Sequence, residues 1–196
     1  MAAPIDRRPP APPYRGEGPH ALWHFSEDPS IEVFRPQRVL VSDDDVEQVW
    51  TVDTRHAPLF WFPRDCPRGT AWAGRNTTDA DRERFFGHTQ SGRIHVVEHA
   101  WYEAIRTVRL YAYRLPADTF TPHEVGGYWV SDATVEPLER TDVGDLVGRH
   151  AEAGIELRFT PSIWTWWTEV ARSTLDCSGC RLRNCGRPMP EELAQL

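Results

Sequence analysis

Apolar and polar residues alternate most cleanly at 108–115, V-R-L-Y-A-Y-R-L. There Val108, Leu110, Ala112 and Arg114 fall on one side, and Arg109, Tyr111, Tyr113 and Leu115 on the other. A period of two predicts a strand with one face on a core. Shorter runs of the same kind predict strands at 21–26, 48–52, 69–73, 93–99, 128–131 and 155–160. The segment 134–140 carries Val135 and Leu138 around Pro137, which predicts an edge strand, because proline cannot donate to an interior ladder. Helices are expected where capping residues meet an apolar face. One follows Thr78 and stops at Gly87, a second covers 100–106, and a third covers 142–153 before Gly154. A Trp-rich helix at 162–173 follows Pro161, and Asp53 or Thr54 is placed to cap a short helix reaching Trp61. Residues 31–34 form a brief apolar run, and 35–46 read as a loop with an acidic cluster at 43–45. Many short strands and four or five short helices, without a βαβ rhythm, predict an α+β fold: a compact single domain around a curved, mostly antiparallel sheet.

The expected organisation has three parts. Residues 1–19, with Pro9, Pro10, Pro12 and Pro13, read as a disordered Pro/Arg-rich arm. Residues 20–176 read as the globular domain, and 177–196 as a cysteine-containing tail. Nine tryptophans, eight phenylalanines and five tyrosines make the core aromatic-heavy. The net charge of −7 argues against general nucleic-acid binding and against an anionic membrane surface. All 22 basic residues are arginine. Without lysine there is no Schiff base, so pyridoxal phosphate chemistry is excluded, and so is a P-loop lysine. No apolar run approaches the ~18 residues a membrane span needs, and the start of the chain lacks a secretory signal's apolar core. A cytoplasmic location is the resulting expectation.

Candidate chemistry begins at 56–68, H-A-P-L-F-W-F-P-R-D-C-P-R. Pro63 and Pro67 fix the backbone of a non-helical loop. That loop presents Arg64, Asp65 and Arg68 either as a clamp for an anion or carboxylate, or as a corner in which Asp65 pairs with one of the arginines. His24, with Ser26 on the same strand face, suits a ribose hydroxyl or phosphate; the alternative is a core histidine bonded to a carbonyl. His95 and His99 share a strand face two pleats apart, too far to chelate one ion without a third element. Tyr111, Tyr113, Tyr128 and Trp129 offer flat faces for stacking a nucleobase or nicotinamide ring, or pack the sheet. Glu156 and Arg158 share a face and pair. Glu136 has no partner evident in the sequence and belongs at an exposed edge or a working site. Cys177, Cys180 and Cys185 read C-x₂-C-x₄-C, one ligand short of a closed zinc site unless Cys66 or a histidine completes it. The expectation is that no metal is bound.

Several longer stretches resemble a family of uncharacterised bacterial proteins, a domain of unknown function: W-H-F-S-E-D-P-S-I-E-V-F, H-A-P-L-F-W-F-P-R-D-C-P-R, D-R-E-R-F-F-G, Y-W-V-S-x₃-V-E-P-L and G-I-E-L-R-F-T-P-S-I-W. The likeness covers about residues 20–184 and implies no activity. In that family the positions of Cys177 and Cys180 are usually apolar, a departure that weighs further against zinc. A looser likeness starts from H-F-S ending a first strand and a later strand with Ser131 and, a few residues on, Glu136. It is similar to the ADP-ribosyltransferase superfamily, including its RNA 2′-phosphotransferase branch. That resemblance implies a compact α+β fold with NAD, as substrate, or an ADP-ribosyl group in a cleft. It implies that His24 holds a ribose hydroxyl, that Tyr128 or Tyr113 stacks on nicotinamide, and that Glu136 steadies an oxocarbenium-like centre or polarises a hydroxyl. Arg64 and Arg68 would grip the pyrophosphate.

Three functions are therefore expected in order. The first is an ADP-ribosyltransferase-like enzyme acting on a nucleotide-like small molecule. The second is a non-catalytic domain that binds a small anion or a partner. The third is a metal-dependent tailoring enzyme.

Overall fold

The computed structural model describes residues 21–38, 46–124 and 127–193. The arm read at 1–19, the acidic cluster at 43–45 and Gly126 lie outside the described residues. In chain order the elements are β1 (Leu22–Ser26), β2 (Gln37–Arg38), β3 (Glu47–Asp53), β4 (Arg68–Trp72), α1 (Asp79–Phe86) and β5 (Arg93–Glu98). They continue with α2 (Tyr102–Thr107), β6 (Tyr111–Leu115), β7 (Thr121–Pro122), β8 (Tyr128–Ser131) and β9 (Glu139–Asp142). The last are α3 (Leu146–Glu152), β10 (Glu156–Thr160), α4 (Trp164–Ala171) and β11 (Asp176–Cys180). The fold is α+β with mostly antiparallel pairing, as expected. Its strands form two sheets, one in each of two compact units: Met1–Trp61 with Arg109–Gly144, and Phe62–Val108 with Asp145–Leu196. No helix among the described residues is long and apolar enough to cross a membrane.

The first unit is built on a seven-stranded antiparallel sheet, ordered β7-β8-β3-β1-β6-β9 with β2 added to β3. The core face expected for β6 holds, with Tyr113 and Leu115 fully buried and Tyr111 nearly so; on the other face Arg114 is exposed but Ala112 is buried as well. Tyr111, Tyr113 and Leu115 join Leu22, Val49 and Trp129 in a core closed by Phe34, Phe120 and Val135. Each such side chain contributes about 1.5–3 kcal/mol when fully buried.

The second unit holds a four-stranded sheet, β10-β5-β4-β11, in which only the β10–β5 pair is parallel. One face carries Ala71, Ile94 and Val96 and is covered by Phe85 and Phe86 of α1 and by Trp164 and Val170 of α4. Helix α1 starts as its cap predicts, with the Thr78 hydroxyl accepting from Asp81 N at 3.2 Å.

Several sequence expectations need correcting. The segment 134–140 is not a strand: Val135 makes a single bridge to Phe34, and pairing resumes only in β9. The strand expected at 108–115 begins at Tyr111, and Gln37–Arg38 forms a short strand inside the expected loop. The helix expected from 142 starts at Leu146, because Asp142 is paired in β9 and Gly144 turns the chain with φ +74°. Asp145 then supplies the cap, accepting from Val147 N at 3.1 Å. The segment read as a tail from 177 instead pairs along β4 as an edge strand, with Cys177 opposite Ala71 and Cys180 opposite Arg68.

Close packing over the second sheet makes one glycine sensitive. A Cβ on Gly69 would lie 2.8 Å from Cζ3 of Trp166 and 2.9 Å from Cε3 of Trp167. Gly69→Ala is expected to destabilise by about 1–3 kcal/mol, the usual cost of overpacking. Gly92→Ala, with nothing within 4 Å of the added atom, should stay within about 0.5 kcal/mol. Urea midpoints of the two variants measure the difference.

Candidate functional site

The two faces of the first sheet carry different chemistry. On the core face His24 is opposite Tyr113 and Ser26 opposite Tyr111. The His24 Nδ1–H donates to the Trp50 carbonyl at 3.0 Å, and its ring lies 4.8 Å from that of Phe34. Tyr113 donates its hydroxyl to the Asp28 carbonyl at 2.6 Å. Ser26 accepts from Asp28 N at 3.1 Å. Ser131 donates to Thr119 Oγ1 at 3.0 Å and accepts from Ala133 N at 3.1 Å. The expected aromatic wall is therefore divided by the pleat: Tyr111, Tyr113 and Trp129 face the core, while Tyr128 points to the other side. Glu136 follows the bridge between Val135 and Phe34, and its side chain is exposed.

Tyr128 has company on its own face. Phe25 stacks on Phe60 at 6.3 Å with an angle of 5° between planes. Phe60 meets Tyr128 edge-on at 5.9 Å, Tyr128 meets Trp50 at 6.0 Å, and Trp50 meets His123 at 4.6 Å. All five are half-buried. Their alternation partners supply the reason: Leu22 and Val49 fill the core, so Phe25 and Trp50 must point away from it.

Strand β3 ends in Asp53, opposite Leu22 of β1, and its carboxylate is buried. Both of its oxygens lie 2.9–3.0 Å from Nδ1 of His56, and Oδ1 also accepts from His56 N at 2.9 Å. A carboxylate only accepts, so Nδ1 of His56 carries a proton. Asp53 thus caps the turn leading into the 3₁₀ segment Ala57–Phe60, and in doing so it fixes the imidazole. Gly127, at φ +89°, presses its backbone against this ring: a Cβ there would lie 2.3 Å from Nδ1. Phe60 and Tyr128 flank the pair in sequence, at the end of the 3₁₀ segment and just after Gly127.

The loop at 62–68 belongs to the second unit. Arg68 is buried; it donates through Nη1 to the Cys66 carbonyl at 3.0 Å, and its guanidinium lies over the Phe62 ring at 5.6 Å. Arg64 and Asp65 are exposed. Their carbonyls accept from Arg181 Nε at 3.3 Å and Asn184 Nδ2 at 2.8 Å, which ties the loop to the residues after β11. Burial pushes the Cys66 thiol up to about 12, which makes it an inert group at neutral pH. Cys177 and Cys180 are three apart on β11, so they face opposite ways and cannot share an ion. Among the described residues no three His, Cys, Asp or Glu side chains are grouped to hold a metal.

The same unit buries two histidines completely. His150 donates from Nδ1 to the Leu146 carbonyl at 2.7 Å, so its Nε2 accepts from Nδ1–H of His95 at 3.0 Å. Burial drives both below the usual imidazole range, His150 to about 4. Phe62 packs on both rings, at 5.4 Å and 4.9 Å.

His56, Phe25, Trp50 and Phe60 did not stand out from the sequence as site residues, and Asp53 did so only as a candidate helix cap. The available signals were the three-residue spacing of D-T-R-H across a proline-started turn, and aromatic residues at the outward positions of β1 and β3. Residues 23–185 match the model of a family described as a family of unknown function (DUF6886), and the chain belongs to that family. No curated protein and no solved structure matches it.

Proposed function

We propose that this member of a family without an assigned activity binds a nucleotide-like small molecule on the Phe25–Phe60–Tyr128–Trp50–His123 surface. The proposed activity is ADP-ribosyltransferase-like, on NAD or another ADP-ribosyl compound. The observation that carries the reading is the run of half-buried rings on the non-core face of the first sheet. Aromatic faces stack any base, at about 1–3 kcal/mol per base. The H-F-S ending of β1 supports the ADP-ribosyl part of the reading by resemblance alone, since His24 lies on the core face with Nδ1 on the Trp50 carbonyl.

Binding without chemistry is the second reading, and one observation favours it: Glu136, the carboxylate expected to steady a cationic centre, is exposed to solvent. The test has two stages. NAD, ADP-ribose and AMP are titrated against wild type and Trp50→Ala, and nicotinamide release is then followed in wild type and Glu136→Ala. Trp50→Ala should weaken binding roughly 5- to 150-fold. Saturable binding without nicotinamide release favours the second reading, and unchanged turnover in Glu136→Ala removes that residue from the chemistry. No binding by any of the three rejects the proposal.

A further inference from the structure

We infer that the second unit carries a further ligand site, a groove between α4 and the segment after β11 that takes a small organic monocarboxylate. The groove has a volume of about 380 Å³, within the range of small-molecule pockets. Every residue lining it belongs to the second unit, so the assignment stands independently of the aromatic surface and of the proposed function. One wall is α4. Thr165, Thr168, Glu169 and Arg172 line the groove and recur at three- and four-residue spacing, so they share one helix face. The other wall is the stretch 187–192, which is held beside that face at two points. The Trp164 indole donates to the Arg187 carbonyl at 2.8 Å, and Arg172 Nη2 lies 3.4 Å from the Glu192 carboxylate.

Two observations set the ligand class. Thr168 is only 6% exposed, yet its hydroxyl has no hydrogen-bond partner among the described residues. A buried hydroxyl without a partner is unfavourable, and an acceptor bound in the groove relieves it. The second observation is the balance of charge. The charged side chains of the lining are Glu169, Arg172, Arg187 and Glu192. Glu169 pairs with Arg84 and Glu192 with Arg172, whereas Arg187 has no acidic partner among the described residues. In a chain of net charge −7, the groove thus keeps one cation uncompensated. A guanidinium presents a planar fork of donors that matches a carboxylate. A single negative charge fits best, because a dianion would also face the carboxylates of Glu169 and Glu192. Trp164, Pro188 and Pro190 supply apolar surface for the body of the ligand. In the inferred complex the ligand carboxylate accepts from Arg187 and from the Thr168 hydroxyl.

Benzoate and hexanoate are the probes. Benzamide is the neutral counterpart of benzoate, and inorganic phosphate and AMP supply phosphate dianions. The readout is the Trp164 indole peak in the ¹H–¹⁵N spectrum of the full chain, identified by its loss in Trp164→Phe. A carboxylate should shift this peak saturably, and benzamide should bind about tenfold more weakly than benzoate, for want of the charge-assisted hydrogen bonds. Arg187→Gln should weaken carboxylate binding about 10- to 150-fold, the usual effect of losing hydrogen bonds to a charged group. Its urea midpoint should be unchanged, because the side chain is exposed. Thr168→Val should weaken binding about 2- to 10-fold. It should not lower the urea midpoint, because no hydrogen bond within the protein is lost. No saturable shift at millimolar carboxylate, equal affinity for benzoate and benzamide, or unchanged affinity in Arg187→Gln overturns the assignment. A Trp164 shift by phosphate or AMP as strong as that by benzoate overturns the monocarboxylate class.

Discussion

Phe62→Ala is expected to destabilise the protein by about 3–5 kcal/mol, within the range for deleting a buried aromatic side chain. The ring is only 2% exposed. It packs on the rings of His95 and His150, and the Arg68 guanidinium lies over it. Truncation removes apolar burial and also leaves a cavity beside a polar pair and a buried cation. Pro63 and Pro67 stiffen the loop that starts here, so the backbone cannot collapse to fill the space. Phe62→Leu should cost less, about 1–2 kcal/mol, because most of the volume is kept. Urea unfolding followed through tryptophan fluorescence measures both. A loss below about 1 kcal/mol for Phe62→Ala would mean that the ring is not the anchor of this loop.

Acid should destabilise the protein well before its carboxylates titrate. His150 has a folded pKa of about 4, against 6.5 for an ordinary imidazole, because burial disfavours its charged form. His95 is displaced in the same direction, by burial first and then by His150, Arg93 and Arg68. Between those two values the unfolded chain binds more protons than the folded one, so stability falls as pH falls. The contribution is fully present above pH 6.5 and is lost as pH drops towards 4. For His150 alone the loss is about 2 kcal/mol by pH 5 and about 3 kcal/mol by pH 4. Urea midpoints at pH 7, 6 and 5, repeated with His150→Gln, isolate the effect. The variant should be less stable at pH 7 and should lose the His150 share of the slope between pH 7 and 5, with the His95 share remaining. An equal slope in the two proteins would assign the acid sensitivity to other groups.

How much of this was visible in the sequence depended on the range of the interaction. Local signals carried well. The alternation around Tyr111 and Tyr113 gave the core face of β6, and Thr78 and Gly87 bounded α1. Gly144 and Asp145 together moved the start of α3, a competition between strand pairing and capping that the sequence alone left open. The segment D-C-S-G-C has no β-branched or aromatic residue, so nothing local marked it as a strand. It is one because β4 offers it a free edge. The His95–His150 contact joins residues 55 apart in sequence, through a strand and a helix whose packing no spacing rule fixes. The aromatic surface was half legible: Tyr128 stood out, but Phe25 and Trp50 did not, because which face of β1 and β3 carries the core is decided only when the sheet closes. Asp53 or Thr54 was expected to cap the helix; the cap position is His56 instead, and Asp53 closes the turn before it by accepting from His56 N with the oxygen that also meets His56 Nδ1.

The most direct measurement on the central claim is the indole region of a ¹H–¹⁵N spectrum during titration with NAD and with AMP. Trp50 is identified by the peak lost in Trp50→Phe, and Trp164, whose indole donates to the Arg187 carbonyl at 2.8 Å, serves as the internal reference. A nucleotide stacked on the aromatic face predicts a saturable shift of the Trp50 peak with the Trp164 peak unmoved. A Trp50 peak that stays in place at millimolar nucleotide, or shifts only together with Trp164, would contradict it.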